Sequence, residues 1–434
     1  MSGVVAETGN TTEPPEPISL CVVGSGDWAS PSRVNSHEVA TRWPAPGSVA
    51  YLEPAPLRGP KLRDLDRLGA RFRGRLPVSA GGVPAAPPAA VEVIRPLFLP
   101  WHPTSAARAW NVAAAHRAIR HRARRTGTPV GFDVLWFFSP ALAGLERRIP
   151  ARLVIYHAVD DYSANPDVRG SLVARREAEL VGRADLVFAS SEPLARRLRR
   201  SHPRVMTWTN VSNTAHLAEI AARHRHPRSF TDRPVAVFVG HLSPHKVDFD
   251  LMLHLVRHLA DWRFVLAGQY VAGSESGQAL LRAPNVEYLG PVARDDLATR
   301  FAEADVALLP LPDTPLHQAS FPIKVFDYLA LGLPIVGRRS EPLQGLGDLI
   351  LPAVTVEEYA GAMRSAIVMR DDPGFLARAR RVALENSWEP RIEALNRSIR
   401  RELAGRSLTI RKTSRAGFMA SGAGGRRDPN EPPE

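Results

Sequence analysis

A chain of 434 residues is about three times the usual domain length, so two or three domains are expected. Its 44% apolar content excludes wholesale disorder, and the single cysteine, Cys21, excludes a disulfide framework and a Cys-based zinc module. The net charge of +12 lies in one half: residues 1–228 hold 31 Lys/Arg against 19 Asp/Glu, whereas residues 229–434 hold 25 of each. No apolar run is long enough for a membrane span, and residues 1–17 are polar, acidic and Pro-bearing, unlike a secretion signal. These features predict a cytoplasmic protein.

In chain order, residues 1–17 read as a disordered tail. Ile18–Val23 is a short apolar run that ends in Gly24-Ser25-Gly26, a strand feeding a tight turn. A helical pattern follows from about Arg33, and Val49–Leu52 is a second strand. Residues 54–90 are rich in Pro, Gly and Arg without a period and read as a long mobile insertion. Val91–Ile94 is a further strand, and Thr104–Arg125 a helix capped by Thr104 and closed by Gly127. Apolar bursts at Val134–Phe138, Leu153–His157 and Leu186–Ala189 alternate with helices near Ser171–Gly182 and Pro193–Arg200, and Val205–Trp208 closes the series. This alternation predicts a parallel, doubly wound α/β domain over 18–212. A polar, His- and Arg-rich linker is expected at 213–232. A second strand set then runs through Val235–Gly240, Phe264–Ala267, Val286–Leu289, Val306–Leu309 and Ile335–Val336, giving a second Rossmann-like domain over 233–388. A helix over 389–410 and a disordered tail over 411–434 complete the chain.

The most informative stretch runs from Ala319 to Pro334. It has helix punctuation: Ser320 as N-cap, Pro322 in the first turn and Gly332 past the end. Lys324 is a cation in the first turn, against the macrodipole, which makes sense if it shares an anion such as phosphate with that helix start. Asp327 lies one turn on along the same face, and a carboxylate there suits the vicinal hydroxyls of a ribose. Taken alone, the pair also fits a plain surface ion pair.

Phe238-Val-Gly-His-Leu-Ser-Pro-His-Lys246, Asn285-Val-Glu-Tyr-Leu-Gly290, Ala304-Asp-Val-Ala-Leu-Leu-Pro310 and the Lys324/Asp327 helix follow in an order that resembles GT-B glycosyltransferases. The likeness is to bacterial surface-polysaccharide enzymes of the teichuronic-acid and xanthan type, and it covers residues 18–405. It implies two Rossmann-like domains facing across a cleft, with the C-terminal helix returning to the first. It also implies a nucleoside diphosphate sugar, UDP- or GDP-linked, as donor, and no separate cofactor. By this resemblance Lys324 binds the diphosphate and Asp327 the ribose, backbone near Gly290 and Val292 borders the base, Gly240 gives the diphosphate room, and Lys246 adds charge. Two departures stand out. Retaining relatives carry two Glu eight positions apart, where this chain has Ala319 and Asp327, and the Arg that often follows the first strand's glycine is His241.

Ile155-Tyr-His-Ala-Val-Asp-Asp-Tyr-Ser163 follows a strand directly, so its carboxylates sit at the ligand-facing edge of a parallel sheet. Xanthan-type glucuronosyltransferases have a Tyr-x-x-x-Asp here, matched by Tyr156 and Asp160. The resemblance makes Asp160 the general base of an inverting transfer, with His157 and Asp161 as competitors; an Asp that merely caps the next turn is the structural alternative. The turn at Gly26 and Asp27, with Arg33 beyond it, lacks a third glycine and so is no dinucleotide fingerprint. The resemblance places it beside the acceptor and leaving group, with Asp27 and Arg33 facing them; a mere tight turn is the alternative. Asp64 and Asp66 sit among Arg without a preceding strand and read as solvated charge. No His/Asp spacing predicts a metal site; His241 and His245 come nearest.

Metal-independent sugar transfer is therefore the leading reading. A nucleotide-sugar epimerase of the same fold and a non-catalytic Arg-rich membrane- or nucleic-acid-binding protein are the alternatives. Clusters at Lys61–Arg75, Arg117–Arg125 and Arg196–Arg204 fit either solvated helix faces or a surface for anionic lipid beneath a glycan or lipid-linked acceptor, without aromatic interleaving for nucleic acid. The expected location is the cytoplasm, peripheral to the inner membrane face.

Overall fold

The computed structural model describes residues 17–30, 33–44, 49–57, 88, 90–99, 104–164, 168–225 and 233–419, with side chains to Arg406. Nearly all of the N-terminal tail, most of the 54–90 insertion with the Lys61–Arg75 cluster and Asp64/Asp66, and the last fifteen residues lie outside the described residues.

The strands form two sheets. The first has the order β3-β2-β1-β4-β5-β6-β7. Its strands are β1 (Leu20–Val23), β2 (Val49–Leu52), β3 (Val91–Ile94), β4 (Phe132–Phe137), β5 (Ala151–Ala158), β6 (Leu186–Ala189) and β7 (Val205–Thr207). The second has the order β10-β9-β8-β11-β12-β13. Its strands are β8 (Val235–Val239), β9 (Arg263–Ala267), β10 (Val286–Gly290), β11 (Val306–Leu309), β12 (Ile335–Gly337) and β13 (Ile350–Pro352). The described registers are all parallel. In both sheets the strand order reverses beside the first strand, and ligands of such folds bind at the carboxyl ends there.

The apolar runs follow from burial on both faces. In β8, Val237 joins a core layer with Leu217 and Ile220 of helix Thr214–His224 and Phe375 of helix Pro373–Glu385. Its neighbours Ala236 and Phe238 point the other way, into Met252, Leu255, Tyr359 and Met363. The larger aliphatic and Phe side chains among them each contribute about 1.5–3 kcal/mol by leaving water.

Contacts divide the chain into two units, Met1–His157 with Asp167–Asp185, and Ala158–Pro166 with Leu186–Glu434. The stretch read as a linker contains helix Thr214–His224, because Leu217, Ile220 and Ala221 recur at helical spacing within its polar composition. The last helix runs from Trp388 to Met419, beyond the expected end at 410. Near its start Arg391 stacks over the Trp208 ring, 4.9 Å from its centroid, and Glu402 pairs with Arg204, so the helix does return to the β7 segment.

Candidate active site

The site begins at the carboxyl end of β8. Gly240 has φ +148°, and a Cβ there would stand 2.6 Å from Nζ of Lys324. Glycine thus serves both the backbone conformation and the close passage of the ammonium group. Gly268, at the end of β9, has φ +128°, and its missing Cβ would lie 2.0 Å from the Gly240 carbonyl oxygen. The two backbones meet where no side chain fits. Gly290 ends β10 with φ +68°, after a register shift, and its carbonyl accepts from Gly268 N at 2.8 Å. Val292 follows, half-buried.

Helix Lys324–Ala330 carries the cation. Its N-cap is Ile323, without a side-chain cap, rather than Ser320, whose hydroxyl is engaged elsewhere. Its end is as expected: Gly332 has φ +71°, and Leu333 N donates to Tyr328 O at 2.9 Å. Tyr328 fixes helix to sheet, its hydroxyl accepting from Val239 N at 3.0 Å. Lys324 Nζ consequently lies 4.2 Å from the Phe238 ring centroid. Burial and the nearby Lys246 pull the Lys324 ammonium down to about 7, against the opposing pull of Asp327. An anion received by both lysines would reverse that repulsion. Lys246 is half-buried on the turn opened by Ser243, and His241 is exposed. Asp327 accepts a hydrogen bond from the Ser212 hydroxyl.

Asp160 belongs to the same unit. Its Oδ1 accepts from the Ser320 hydroxyl and from Asp161 N at 3.1 Å. Among the described residues Oδ2 has no hydrogen-bond donor. Asp161 takes the turn-capping role, accepting from Ser163 N at 3.1 Å and from its hydroxyl, with Arg197 Nε at 3.6 Å. The adjacent carboxylates thus have different surroundings: one is committed to the turn, and the other has an oxygen to spare.

Sequence reasoning missed His317. It lies in the short helix Pro315–Ala319, whose N-cap Thr314 precedes Pro315. The Thr314 hydroxyl is 2.9 Å from Nδ1, while Nε2 is buried without a hydrogen-bond partner among the described residues. Burial, then Lys246, opposed by Asp160, and then Lys324 bring its pKa down to about 4. Thr-Pro marks a helix start, but nothing in the local pattern shows which way the ring turns.

The remaining predicted residues lie in the other unit. Tyr51 donates to Gly26 O at 2.6 Å, and a Cβ on Gly24 would stand 2.3 Å from the Tyr51 hydroxyl oxygen, so packing accounts for this glycine turn. Asp27 is exposed, and Arg33 stacks over Trp28 at 4.9 Å. His157 is buried against Phe138, with centroids 5.0 Å apart, and Trp136, at 6.1 Å. Among the described residues no group of three or more His, Cys, Asp or Glu is placed to hold a metal ion.

The ordered glycines and the lysine helix lie in a stretch matched by a family model, Glycosyl transferases group 1, over residues 233–368. The matched segment is 136 of the 434 residues and holds β8 to β13. Among curated relatives, TuaH of Bacillus subtilis (strain 168), named for teichuronic acid biosynthesis as a glycosyltransferase, is 30% identical over 217 residues. That match takes in 47% of this chain and 54% of TuaH, so the chain spans about half the relative's length. Sucrose-phosphate synthase from Thermosynechococcus elongatus superposes with a TM-score of 0.64 at 14% identity, over 89% of this chain and 100% of that one. Anabaena HepE, solved in complex with UDP, gives 0.58 at 15% identity, over 90% and 100%. These likenesses are of fold: the two parallel sheets match the GT-B architecture, and the segment matched by the family model holds the second.

Proposed function

We propose that this chain is a glycosyltransferase that moves a sugar from a nucleoside diphosphate sugar to an acceptor hydroxyl. One juxtaposition carries the reading: Lys324 Nζ passes close beside Gly240, with Lys246 near enough to act on its charge, in the unit where Ser320 holds Asp160. The lysines receive the diphosphate, Asp327 the ribose, and the segment from Gly290 to Val292 the base. UDP, which HepE holds, is the first nucleotide to test, with GDP second.

Transfer proceeds by a single inverting displacement. The acceptor oxygen bonds to the anomeric carbon and its proton passes to Oδ2 of Asp160. The bond from the anomeric carbon to the β-phosphate oxygen breaks, and its electron pair leaves with the diphosphate. Lys324 and Lys246 stabilise that charge in place of a divalent ion. The match to TuaH favours a surface-polysaccharide or glycolipid acceptor.

For a lipid-linked acceptor, the basic unit docks on an anionic membrane. Helix Ser105–Thr126 presents exposed Arg117, Arg120 and Arg124 at helical spacing, in line with Trp110 one face-repeat earlier, which is 46% exposed. Those three arginines have no ion pair among the described residues. Much of the other charge is spent internally, as in Arg122 with Glu92, Arg108 with Glu179 and Arg196 with Glu341. No described helix is long and apolar enough to cross a membrane.

Thermal shift with UDP, GDP and ADP, each with and without EDTA, tests the reading. A rise with one of them that survives EDTA is expected, and no rise with any would contradict it. Conversion of the donor sugar without an acceptor would point to an epimerase.

A further inference from the structure

We propose that His317 reads the transferred sugar, its Nε2 hydrogen-bonding a sugar hydroxyl of the bound donor. This rests on the donor reading above and adds a residue to it.

The geometry is that of a ring fixed on one side and unpaired on the other. Thr314 accepts from His317 N at 3.4 Å and its hydroxyl meets Nδ1 at 2.9 Å, so backbone and ring are held by one side chain. The residue is only 8% exposed, and Nε2 lacks a partner among the described residues. Buried polar atoms are nearly always paired, so an orphan at a candidate site calls for a partner. The Pro312 carbonyl also faces the ring, yet the charged groups acting on His317 are Lys246, Asp160 and Lys324, and Ser320, three residues on, bonds Asp160, so this is not the apolar setting of a core histidine.

Those neighbours identify the ligand chemistry. In the proposed reaction the two lysines hold the diphosphate and Asp160 faces the acceptor, so the sugar occupies the span between them. The ring stays neutral at physiological pH, because burial and the two ammonium groups oppose its protonation. With Nδ1 engaged by Thr314, the neutral imidazole offers one hydrogen bond at Nε2 and no charge, which suits a hydroxyl better than a phosphate.

Calorimetric titration of the full chain with UDP, UDP-glucose, UDP-galactose, UDP-glucuronic acid, GDP and GDP-mannose tests this. In the wild type at least one conjugate should bind more tightly than its free diphosphate. His317→Ala should lose about three- to tenfold in affinity for that conjugate, as for one hydrogen bond, and leave the free diphosphate unchanged. Thr314→Val, which releases the ring without removing it, should show a smaller loss confined to the conjugate, and decides the matter if His317→Ala does not fold. Unchanged conjugate affinity, or equal losses for conjugate and diphosphate, would overturn the assignment. A wild type that binds none of the six would overturn the donor reading itself and this inference with it.

Discussion

The Ser320 hydroxyl donates to Oδ1 of Asp160 across 160 positions of sequence, joining the loop before the Lys324 helix to the carboxylate that follows β5. The bond orients the carboxylate and leaves Oδ2 for a proton. Ser320→Ala should therefore lower turnover about tenfold while leaving nucleotide affinity intact, which steady-state kinetics with a separate nucleotide titration would show.

Asp160→Asn removes the proton acceptor itself. Turnover should fall about 10²–10⁴-fold with nucleotide binding unchanged. Asp161→Asn should keep most of its activity and lose about 1 kcal/mol of stability through the Ser163 turn and Arg197, measurable by urea unfolding. Equal losses of turnover in both variants would remove Asp160 from its role.

Lys324 predicts a pH dependence. In the free protein its ammonium titrates near 7, well below the ordinary 10.5, and a bound diphosphate would raise that value again. Binding then takes up a proton above pH 7, so diphosphate affinity should fall as pH rises from 7 to 9. Lys324→Met should flatten that slope. The same shift acts on stability: between about 7 and 10.5 the unfolded chain binds the additional proton, so this residue's contribution grows more favourable with pH.

Gly240→Ala should cost about 1–3 kcal/mol from backbone strain and weaken diphosphate binding, because the new Cβ enters the space of Lys324 Nζ. In a Lys324→Ala background part of that cost should vanish. A double-mutant cycle on melting curves measures the coupling.

Reversing Arg117, Arg120 and Arg124 to Glu should abolish salt-sensitive co-sedimentation with phosphatidylglycerol vesicles without altering nucleotide affinity. Sedimentation independent of anionic lipid, in the wild type, would contradict the docking reading.

Much of the fold is legible in the chain because strands buried on both faces leave unbroken apolar runs; Leu186–Ala189 and Val306–Leu309 coincide with β6 and β11. Helix Thr214–His224 was hidden by the polar residues around it, since Leu217 and Ile220 are the large apolar residues on its buried side, beside the small Ala218 and Ala221. At the site, the spacing of Lys324, Asp327 and Gly332 is local and readable. The Ser320–Asp160 bond, the His317 orientation and the Gly240–Gly268 approach depend on segments distant in sequence, and no window contains them. Ser320 has the composition of a cap, yet its hydroxyl is committed to Asp160.

On this reading Lys324, beside Gly240 and within reach of the charge on Lys246, receives a nucleoside diphosphate. Calorimetric titration of the wild type and of Lys324→Met with UDP and GDP, in EDTA, tests it most directly. One-to-one binding of one nucleotide to the wild type is expected, with an at least tenfold loss in the variant. Wild-type binding that needs a divalent ion, or a Lys324→Met protein that binds as tightly as the wild type, would contradict it.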